Sequence, residues 1–176
     1  MQKIILTFGL IAGAVISAVM LISISFLGDA IDFSTGEVLG YISMIVALST
    51  IFIGIKNYRD NEMNGVISFG KAFQVGLLIT IVASVIYVSS WVIYMNTSDS
   101  DFIENYSDYM REELHNSGEP QAVIDEKLAE IENAAEMYKN PFIQIAITFL
   151  EILPVGLLIS IIAAFLLKKN SIAHPV

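Results

Sequence analysis

A single carboxyl group stands inside a long apolar run of this chain. Glu151 is the only acidic or basic residue between positions 142 and 167. A charge at that depth in lipid is costly, so the neutral acid is favoured, and an intramembrane acid is by default a candidate functional group. Three residues later, Pro154 lacks the N–H that the Leu150 carbonyl would accept in a regular helix. Glu151 and Pro154 are therefore the first candidate functional residues.

Two kinds of role fit these residues. A protonatable carboxyl group beside a proline kink resembles parts of proton and ion pathways. The same group, kept neutral, could instead only join helices by hydrogen bonds or form an assembly contact. The hydrogen-bond partners expected at a similar depth are Ser17, Ser43, Ser84 and Tyr87.

The segment 65–72 reads GVISFGKA and approaches the phosphate-loop pattern of nucleotide-binding proteins. The pattern fails because Ala72 replaces the Ser or Thr that would hold magnesium, and because an apolar run rather than a strand precedes it. We expect an interfacial lead-in to a helix instead, with Ser68 as its N-cap and Lys71 among lipid phosphates.

Groups that could bind a metal ion or perform catalysis are sparse. The chain has no cysteine and only two histidines, His115 and His174. Glu112 and His115 form one Glu-x-x-His pair, whereas a di-iron bundle needs two such pairs and further glutamates. Neither a Ser/His/Asp group nor a basic nucleic-acid-binding stripe is found in the sequence. The sequence therefore predicts no enzyme, no cofactor, no metal site and no nucleic-acid partner.

Four long apolar runs must position these residues. Hydrophobic residues make up 55% of the 176 residues, more than is usual in a soluble domain. A bilayer core needs roughly 20 apolar residues in a helix, and the runs are 4–27, 38–55, 72–95 and 142–167. The first run resembles a signal peptide followed by Gly28-Asp29-Ala30, but it is longer than such a segment, so we expect it to be retained.

Charged residues between the runs predict the orientation of the chain. All charged residues in the gap between the first and second runs are acidic; they are Asp29, Asp32 and Glu37. Because basic flanking residues are retained in the cytoplasm, both termini are predicted to be cytoplasmic, and segments 28–37 and 96–141 external. The basic flanking residues are Lys3, Lys56, Arg59, Lys71, Lys168 and Lys169.

Small residues at intervals of four on the first run allow helices to approach closely in lipid. They are Gly9, Gly13 and Ser17. This face fits packing against another helix of the same chain, and it equally fits a homodimer contact, so a homo-oligomer stays open.

Residues 96–141 form a long polar insertion that holds 12 of the 18 acidic residues. Apolar residues recur there at steps of three and four over about 101–115 and 120–138, which predicts two amphipathic helices, the second with Pro120 in its first turn. We expect the two stripes to pack on each other as a hairpin; the membrane surface or a partner could also take them. The stripes are Ile103, Tyr106, Met110 and Leu114, and then Ile124, Leu128, Ile131, Ala135 and Tyr138.

Several stretches resemble a known family. They are 40–49 (GYISMIVALS), 54–60 (GIKNYRD), 67–73 (ISFGKAF), 140–141 (NP) and 148–157 (TFLEILPVGL). Together they are similar to the bacterial membrane family catalogued as domain of unknown function 4199, over nearly the whole chain. The most distinctive parts contain Tyr58, Arg59 and Lys71, which join the candidate functional residues. The resemblance implies a small four-span protein of a bacterial cytoplasmic membrane and no established activity.

The sequence thus predicts an all-α integral membrane four-helix bundle, one membrane domain over 1–176, with an extracytoplasmic helical hairpin between its third and fourth helices. The lipid bilayer is the first partner, and a protein partner could bind the 96–141 hairpin or the 56–71 loop. The leading hypothesis is a non-enzymatic interaction or assembly protein. The alternative is a small proton- or ion-coupled transporter, a homo-oligomer with Glu151 as its intramembrane acid.

Overall fold

The chain folds almost entirely into α-helices. The structure is a computed structural model that describes residues 1–27, 32–98 and 101–169. The segment Gly28-Asp29-Ala30 and His174 lie outside the described residues. Within those ranges all regular elements are helices, which confirms the predicted all-α class. They are α1 (Gln2–Leu27), α2 (Phe33–Leu48), α3 (Thr50–Glu62), α4 (Phe69–Thr97), α5 (Phe102–Asn116), α6 (Gln121–Tyr138) and α7 (Pro141–Leu167).

Four segments of the described residues are long and apolar enough to cross a membrane. They are Gln2–Ile24, Phe33–Glu62, Phe69–Thr97 and Pro141–Leu167, each between 23 and 30 residues long. Many of their large apolar side chains are more than half exposed, and apolar exposure of this extent marks a surface that contacts lipid or a partner. The most exposed include Val46, Ile93, Phe142, Leu150, Leu158 and Leu166.

The second apolar segment is longer than predicted and is interrupted. The sequence placed it at 38–55, whereas the structure extends it over Phe33–Glu62 as two helices that meet at Ser49. The hydroxyls of Ser49 and Thr50 donate to carbonyls three residues earlier, at 2.6 and 2.7 Å. Side-chain hydrogen bonds of this kind compete with the backbone pattern and bend helices. Hydropathy could not indicate the break because it does not register these hydrogen bonds.

Asp32 caps the N-terminus of α2. Its Oδ1 atom accepts hydrogen bonds from the Thr35 N–H and the Ser34 hydroxyl, both at 2.7 Å, and its Oδ2 atom accepts one from the Thr35 hydroxyl at 3.0 Å. These donors, led by the Thr35 N–H, stabilise the carboxylate and lower the pKa of Asp32 from 3.8 to about 2. A cap of this type satisfies the N–H groups that a helix start leaves unpaired.

The chain divides into two compact units, Met1–Ser90 with Phe149–Val176, and Trp91–Thr148. Helices α1, α2 and α3 belong to the first unit and α5 and α6 to the second, while α4 and α7 contribute residues to both. Twelve of the 18 acidic and three of the nine basic residues fall in the second unit, which therefore carries the whole formal charge of −9.

Close approach at two glycines brings α1 against α4 in the first unit. A Cβ atom built on Gly9 would lie 2.6 Å from the Val82 Cβ, and one built on Gly13 would lie 2.8 Å from the Ile86 Cβ. Any larger side chain would push the two backbones apart. Helix α1 also contacts α2 and α3. For Gly9 and Gly13 the structure therefore shows packing within the chain, one of the two alternatives that the sequence left open.

Small and polar residues join α4 to α7 in the same unit. The Thr80 and Ser160 hydroxyl oxygens lie 3.3 Å apart, and both side chains are fully buried. The Thr80 hydroxyl also donates to the Gly76 carbonyl at 3.0 Å. Gly156 lies directly against Thr80, where a Cβ atom would collide with the threonine side chain. Such close contacts and hydrogen bonds hold helices together in lipid, where hydrophobic attraction between them is weak.

In the second unit, α5 contacts α6. Helix α6 buries the predicted stripe: Ile124 is buried, and Leu128, Ile131, Ala135 and Tyr138 are half-buried. The helix begins at Gln121, so Pro120 is the extended residue before it, with ψ of 142°, rather than a member of its first turn.

Helix α5 buries only part of the predicted stripe: Leu114 is buried and Ile103 is half-buried, as predicted. Tyr106 and Met110, which the sequence placed on the packed face, are exposed, whereas Ser107 and Leu114 are buried. The packed face is therefore rotated toward Ser107. A serine can occupy this position because its hydroxyl donates to the Ile103 carbonyl at 2.7 Å.

Candidate functional site

Glu151 lies in α7, ten residues after the helix begins at Pro141, which is roughly 15 Å along the axis. Its side chain is half-buried. Its carboxyl group lies within electrostatic range of Glu37 and Tyr41, which are one turn apart on α2 and so share a face. We call Glu37, Tyr41 and Glu151 the acidic cluster. The sequence did not predict it.

The serine partners predicted for Glu151 are wrong. Ser43 and Ser84 donate to carbonyls of their own helices, at 2.7 and 2.8 Å. Ser17 is 6% exposed, and its hydroxyl has no hydrogen bond among the residues that the structure describes. Tyr87 is buried on α4. Depth along the sequence could not show that the Ser43 and Ser84 hydroxyls donate to the backbone of their own helix, which is a common arrangement for serine in apolar helices.

Helix α7 continues through Pro154 to Leu167. Because proline carries no N–H, the Leu150 carbonyl has no helical donor. Leu150 is 71% exposed, and Pro154 is exposed as well. Leu150 and Pro154, which flank Glu151, thus lie on a surface of the first unit.

Arg59 makes the most extensive contacts of the candidate residues. Its guanidinium group donates to both Asp60 carboxylate oxygens, at 2.7 and 3.2 Å, and to the Leu167 carbonyl at 3.3 Å. A bidentate pair fixes the plane of the guanidinium group. Leu167 is the last residue of α7, so Arg59 satisfies one of the carbonyls that a helix end leaves without a partner.

The segment between α3 and α4 is bonded to the end of α7. Ile67 and Lys169 exchange two backbone hydrogen bonds, at 3.0 and 2.9 Å, as an isolated antiparallel bridge. Asp60 interacts electrostatically with Lys56, Arg59 and Lys169. We call Lys56, Arg59 and Lys169 the basic cluster.

The glycine-rich segment before α4 does not form a phosphate loop. The Gly65 N–H donates to the Arg59 carbonyl at 2.9 Å, and its φ of +80° suits glycine at the end of a helix. The Ser68 hydroxyl accepts a hydrogen bond from the Lys71 N–H at 3.3 Å at the start of α4, which confirms the predicted N-cap. The Lys71 ammonium group donates to Gln74 at 3.1 Å.

The candidate residues do not form one site. Tyr58 is buried in α3 beside Arg59. Arg59 reaches Leu167, which lies 16 residues beyond Glu151 on α7, or roughly 24 Å along the axis. Tyr58 and Arg59 therefore belong to one end of α7, and Glu151 and Pro154 to its middle.

A polar contact inside the second unit was not predicted. The Trp91 indole N–H donates to the Tyr138 hydroxyl at 2.6 Å, and the Gln144 amide donates to the Tyr138 carbonyl at 2.9 Å. Trp91 and Gln144 are buried. Tyr138 therefore links α4, α6 and α7. Periodicity identified Tyr138 as a stripe residue, but it could not indicate which residues would meet it.

The described acidic residues of the second unit do not gather into a metal site. Across residues 1–27, 32–98 and 101–169, no group of three or more His, Cys, Asp and Glu side chains is arranged to hold a metal ion. Glu112 and His115, the Glu-x-x-His pair, are both exposed on α5.

Comparison with known proteins reaches the level of a family. No curated protein and no solved structure matches the chain. Residues 7–169 match the family described as "Protein of unknown function (DUF4199)", which confirms the resemblance found in the sequence. Because the match covers nearly all of α1 to α7, this chain belongs to the DUF4199 family.

Proposed function

We propose that this chain is a four-span protein of the bacterial inner membrane, a four-helix bundle with both termini in the cytoplasm. Two observations support this proposal. Four segments are apolar and long enough to span a membrane, and the basic cluster lies where the end of α3 meets the end of α7. Basic residues are retained on the cytoplasmic side. Helices α5 and α6 then form a hairpin outside the cytoplasm. A reporter fused after Val176 that is active in the periplasm would contradict this orientation.

We infer that the protein acts without catalysis, by docking a positively charged protein on the α5–α6 hairpin. The observation that carries this inference is the charge of the second unit, which holds the whole formal charge of −9. Acidic side chains of α6 are exposed rather than paired within a core, as at Glu126, Glu130 and Glu132. A surface of one sign attracts and orients a partner of the opposite sign.

The 56–71 loop is the second surface that could take a partner. The Ile67 backbone is hydrogen-bonded to the Lys169 backbone, and the Arg59 side chain donates to Asp60 and to the Leu167 carbonyl. Because these groups of the loop already have partners, whereas acidic side chains of α6 are exposed, we assign docking to the hairpin rather than to the loop.

The docking function is tested by crosslinking in native membranes. Replacing Glu126, Glu130 and Glu132 together by Gln removes three charges, and replacing them by Asp keeps those charges at the same positions. We expect a crosslinked partner to be recovered with the wild-type and Asp forms and lost with the Gln form. Recovery should also fall as salt rises, because exposed charges are screened within about 8 Å at physiological ionic strength. Equal recovery with the Gln and Asp forms would overturn the docking function.

One observation favours a second candidate function, proton- or ion-coupled transport by a homo-oligomer. The acidic cluster brings Glu37 and Tyr41 of α2 to Glu151 of α7. Carboxyl groups that interact inside an apolar segment are a recurring feature of proton pathways. Glu151 would be the coupling acid, and Pro154 would leave an acceptor beside it.

Liposomes that contain a pH-sensitive dye and the purified protein separate the two functions. Transport predicts a proton-dependent flux that Glu151→Gln abolishes without unfolding the protein, while Glu126→Gln on α6 leaves the flux unchanged. Such a result would replace docking as the leading function. Flux equal to that of protein-free liposomes would eliminate transport.

A further inference from the structure

Helix α7 carries a continuous stripe of exposed apolar side chains. Its members recur at steps of three and four, so they share one face of the helix. From Leu150 to Phe165 the stripe runs roughly 22 Å along the axis, which exceeds the roughly 15 Å of hydrocarbon in one leaflet of a bilayer. An extended acyl chain can therefore lie along it. The stripe residues are Leu150, Pro154, Leu158, Ile161, Ile162 and Phe165, and all are exposed.

Lys168 places a positive charge at the end of this stripe. Its Nζ atom lies 4.3 Å from the centre of the Phe165 ring, so the ammonium group stands on the face that carries the stripe. The Lys168 side chain is exposed and forms no ion pair or hydrogen bond with the residues that the structure describes. An ammonium group has three N–H donors, and these are open to an acceptor from outside the chain.

The acids at the end of α3, which meets the end of α7, are already paired. Arg59 donates to both carboxylate oxygens of Asp60, and Glu62 pairs with the amino group of Met1. Residues 152–176 contain no acidic residue. The lysines where the two helix ends meet therefore leave a net positive charge, which favours an anionic ligand.

Backbone contacts hold these positive charges in place. The Ile67 and Lys169 backbones exchange two hydrogen bonds, at 3.0 and 2.9 Å, and the Arg59 guanidinium group donates to the Leu167 carbonyl at 3.3 Å. The chain that carries Lys168 and Lys169 is thus fixed against two other parts of the fold. Charges on a fixed backbone bind with a smaller entropy loss than charges on a mobile one.

We propose that this end of α7 binds an anionic phospholipid, with an acyl chain on the stripe and the phosphate group at Lys168 and Lys169. Basic residues beside apolar helices attract anionic lipid headgroups. A zwitterionic lipid brings its own cation to the lysines, and a free phosphate ion makes no use of the stripe. This site requires the proposed insertion of the four segments in a membrane, but it requires neither docking nor transport nor a particular orientation.

Native mass spectrometry of the full chain counts the lipids that stay bound. The protein in nonionic detergent micelles is titrated with phosphatidylglycerol and, separately, with phosphatidylethanolamine of the same acyl chains. We expect the first phosphatidylglycerol to bind at least tenfold more tightly than the first phosphatidylethanolamine, because only the former has a net negative charge.

Matched variants locate the binding. Lys168→Gln with Lys169→Gln should weaken the first phosphatidylglycerol by about 25-fold, since each lysine at an anionic surface contributes about fivefold. Replacing both lysines by Arg keeps the two charges, so binding should stay within about twofold of the wild type. Lys127→Gln on α6 removes one charge that Glu119 already neutralises, and binding should again stay within about twofold. The Lys168 and Lys169 side chains are exposed, so we expect all these variants to fold.

Two outcomes would overturn the lipid site. One is equal affinity for phosphatidylglycerol and phosphatidylethanolamine, which would leave the lysines without a role. The other is equal weakening by Lys127→Gln and by the double Gln variant, which would indicate attraction by the overall charge of the protein.

Competition with glycerol phosphate tests the contribution of the stripe. This soluble anion carries the phosphate group without acyl chains, so we expect it to displace phosphatidylglycerol only at concentrations at least 100-fold higher than the lipid. Displacement at similar concentrations would assign the lysines to a soluble phosphate compound and overturn the lipid site. The crosslinking and reporter-fusion experiments do not depend on either result, so the lipid site and the proposed function can fail separately.

Discussion

The two units differ in the residues at their helix contacts. In the first unit the helices contact each other through glycines and through serine and threonine, whereas in the second unit the contacts involve aromatic side chains. Gly156 touches Thr80 in the first, and Trp91 bonds to Tyr138 in the second. Helices that face lipid gain little from hydrophobic burial against each other, so they need backbones in close contact. Amphipathic helices in water are held by burial of an apolar stripe, which larger side chains supply.

The two units also use carboxyl groups differently. The first unit holds Glu151 half-buried on α7, near Glu37 and Tyr41. The second unit holds twelve of the 18 acidic residues of the chain, and the described acids of α6 are exposed. An acid in an apolar segment is costly and is therefore a candidate functional group, whereas exposed acids of one sign create a field around a surface.

Gly156→Ala is expected to have the largest effect on stability. A Cβ atom at this position collides with Thr80, and overpacking of this kind typically costs about 1–3 kcal/mol. Gly40→Ala is the matched control, because nothing lies within 4 Å of a Cβ atom built there. Unfolding by SDS in mixed micelles measures both. Equal stability of the two variants would mean that α4 and α7 are not closely packed at this crossing.

Tyr138→Phe tests the corresponding contact in the second unit. It removes the hydroxyl that accepts the Trp91 N–H, and we expect a loss of about 1 kcal/mol, seen as faster amide exchange in α6. Tyr94→Phe is the control, because the Tyr94 ring stacks on Trp91 with 6.0 Å between centroids and keeps that contact as phenylalanine. If both variants exchange alike, the hydrogen bond does not stabilise the second unit.

Ion pairs in the second unit should contribute less. Lys127 donates to both Glu119 oxygens, at 2.8 and 2.7 Å, between partly exposed side chains. Lys127→Met should therefore lower the unfolding free energy by about 0.2–1 kcal/mol. Lys139→Met is expected to have almost no effect, because its pair with Glu136 is more than 70% exposed. A larger loss for Lys139 than for Lys127 would contradict this ranking.

The last prediction concerns pH dependence at the start of α2. The pKa of Asp32 is lowered from 3.8 to about 2, so the cap stabilises the helix fully above pH 3.8 and loses its contribution as the pH falls through about 2. The carbon chemical shift of the Asp32 carboxyl group measures the titration, and amide exchange at Thr35 measures the cap. Asp32→Asn should keep the cap and remove its pH dependence. A midpoint near 3.8 would show that Thr35 and Ser34 do not bond to the carboxylate.

Local sequence patterns gave correct predictions for features that depend on the residues of a single helix. The buried stripe of α6 and the Ser68 cap of α4 follow from residues three and four positions apart on one helix. The predicted face of α5 was right at Leu114 and wrong at Tyr106, because the choice between Ser107 and Tyr106 depends on the helices that pack beside α5. The break at Ser49 was missed because it depends on hydroxyl hydrogen bonds that hydropathy does not contain.

The sequence by itself determined the all-helical class, the four apolar segments, the family, and the position of Glu151 within its helix, since chain composition and helical rise depend on local residues alone. Only the tertiary structure decided that Glu37 and Tyr41 lie within electrostatic range of Glu151, that Gly9 and Gly13 face α4, and that Trp91 bonds to Tyr138. These contacts join residues far apart in the chain. Periodicity describes one helix at a time, so it cannot identify the helix that will lie beside it.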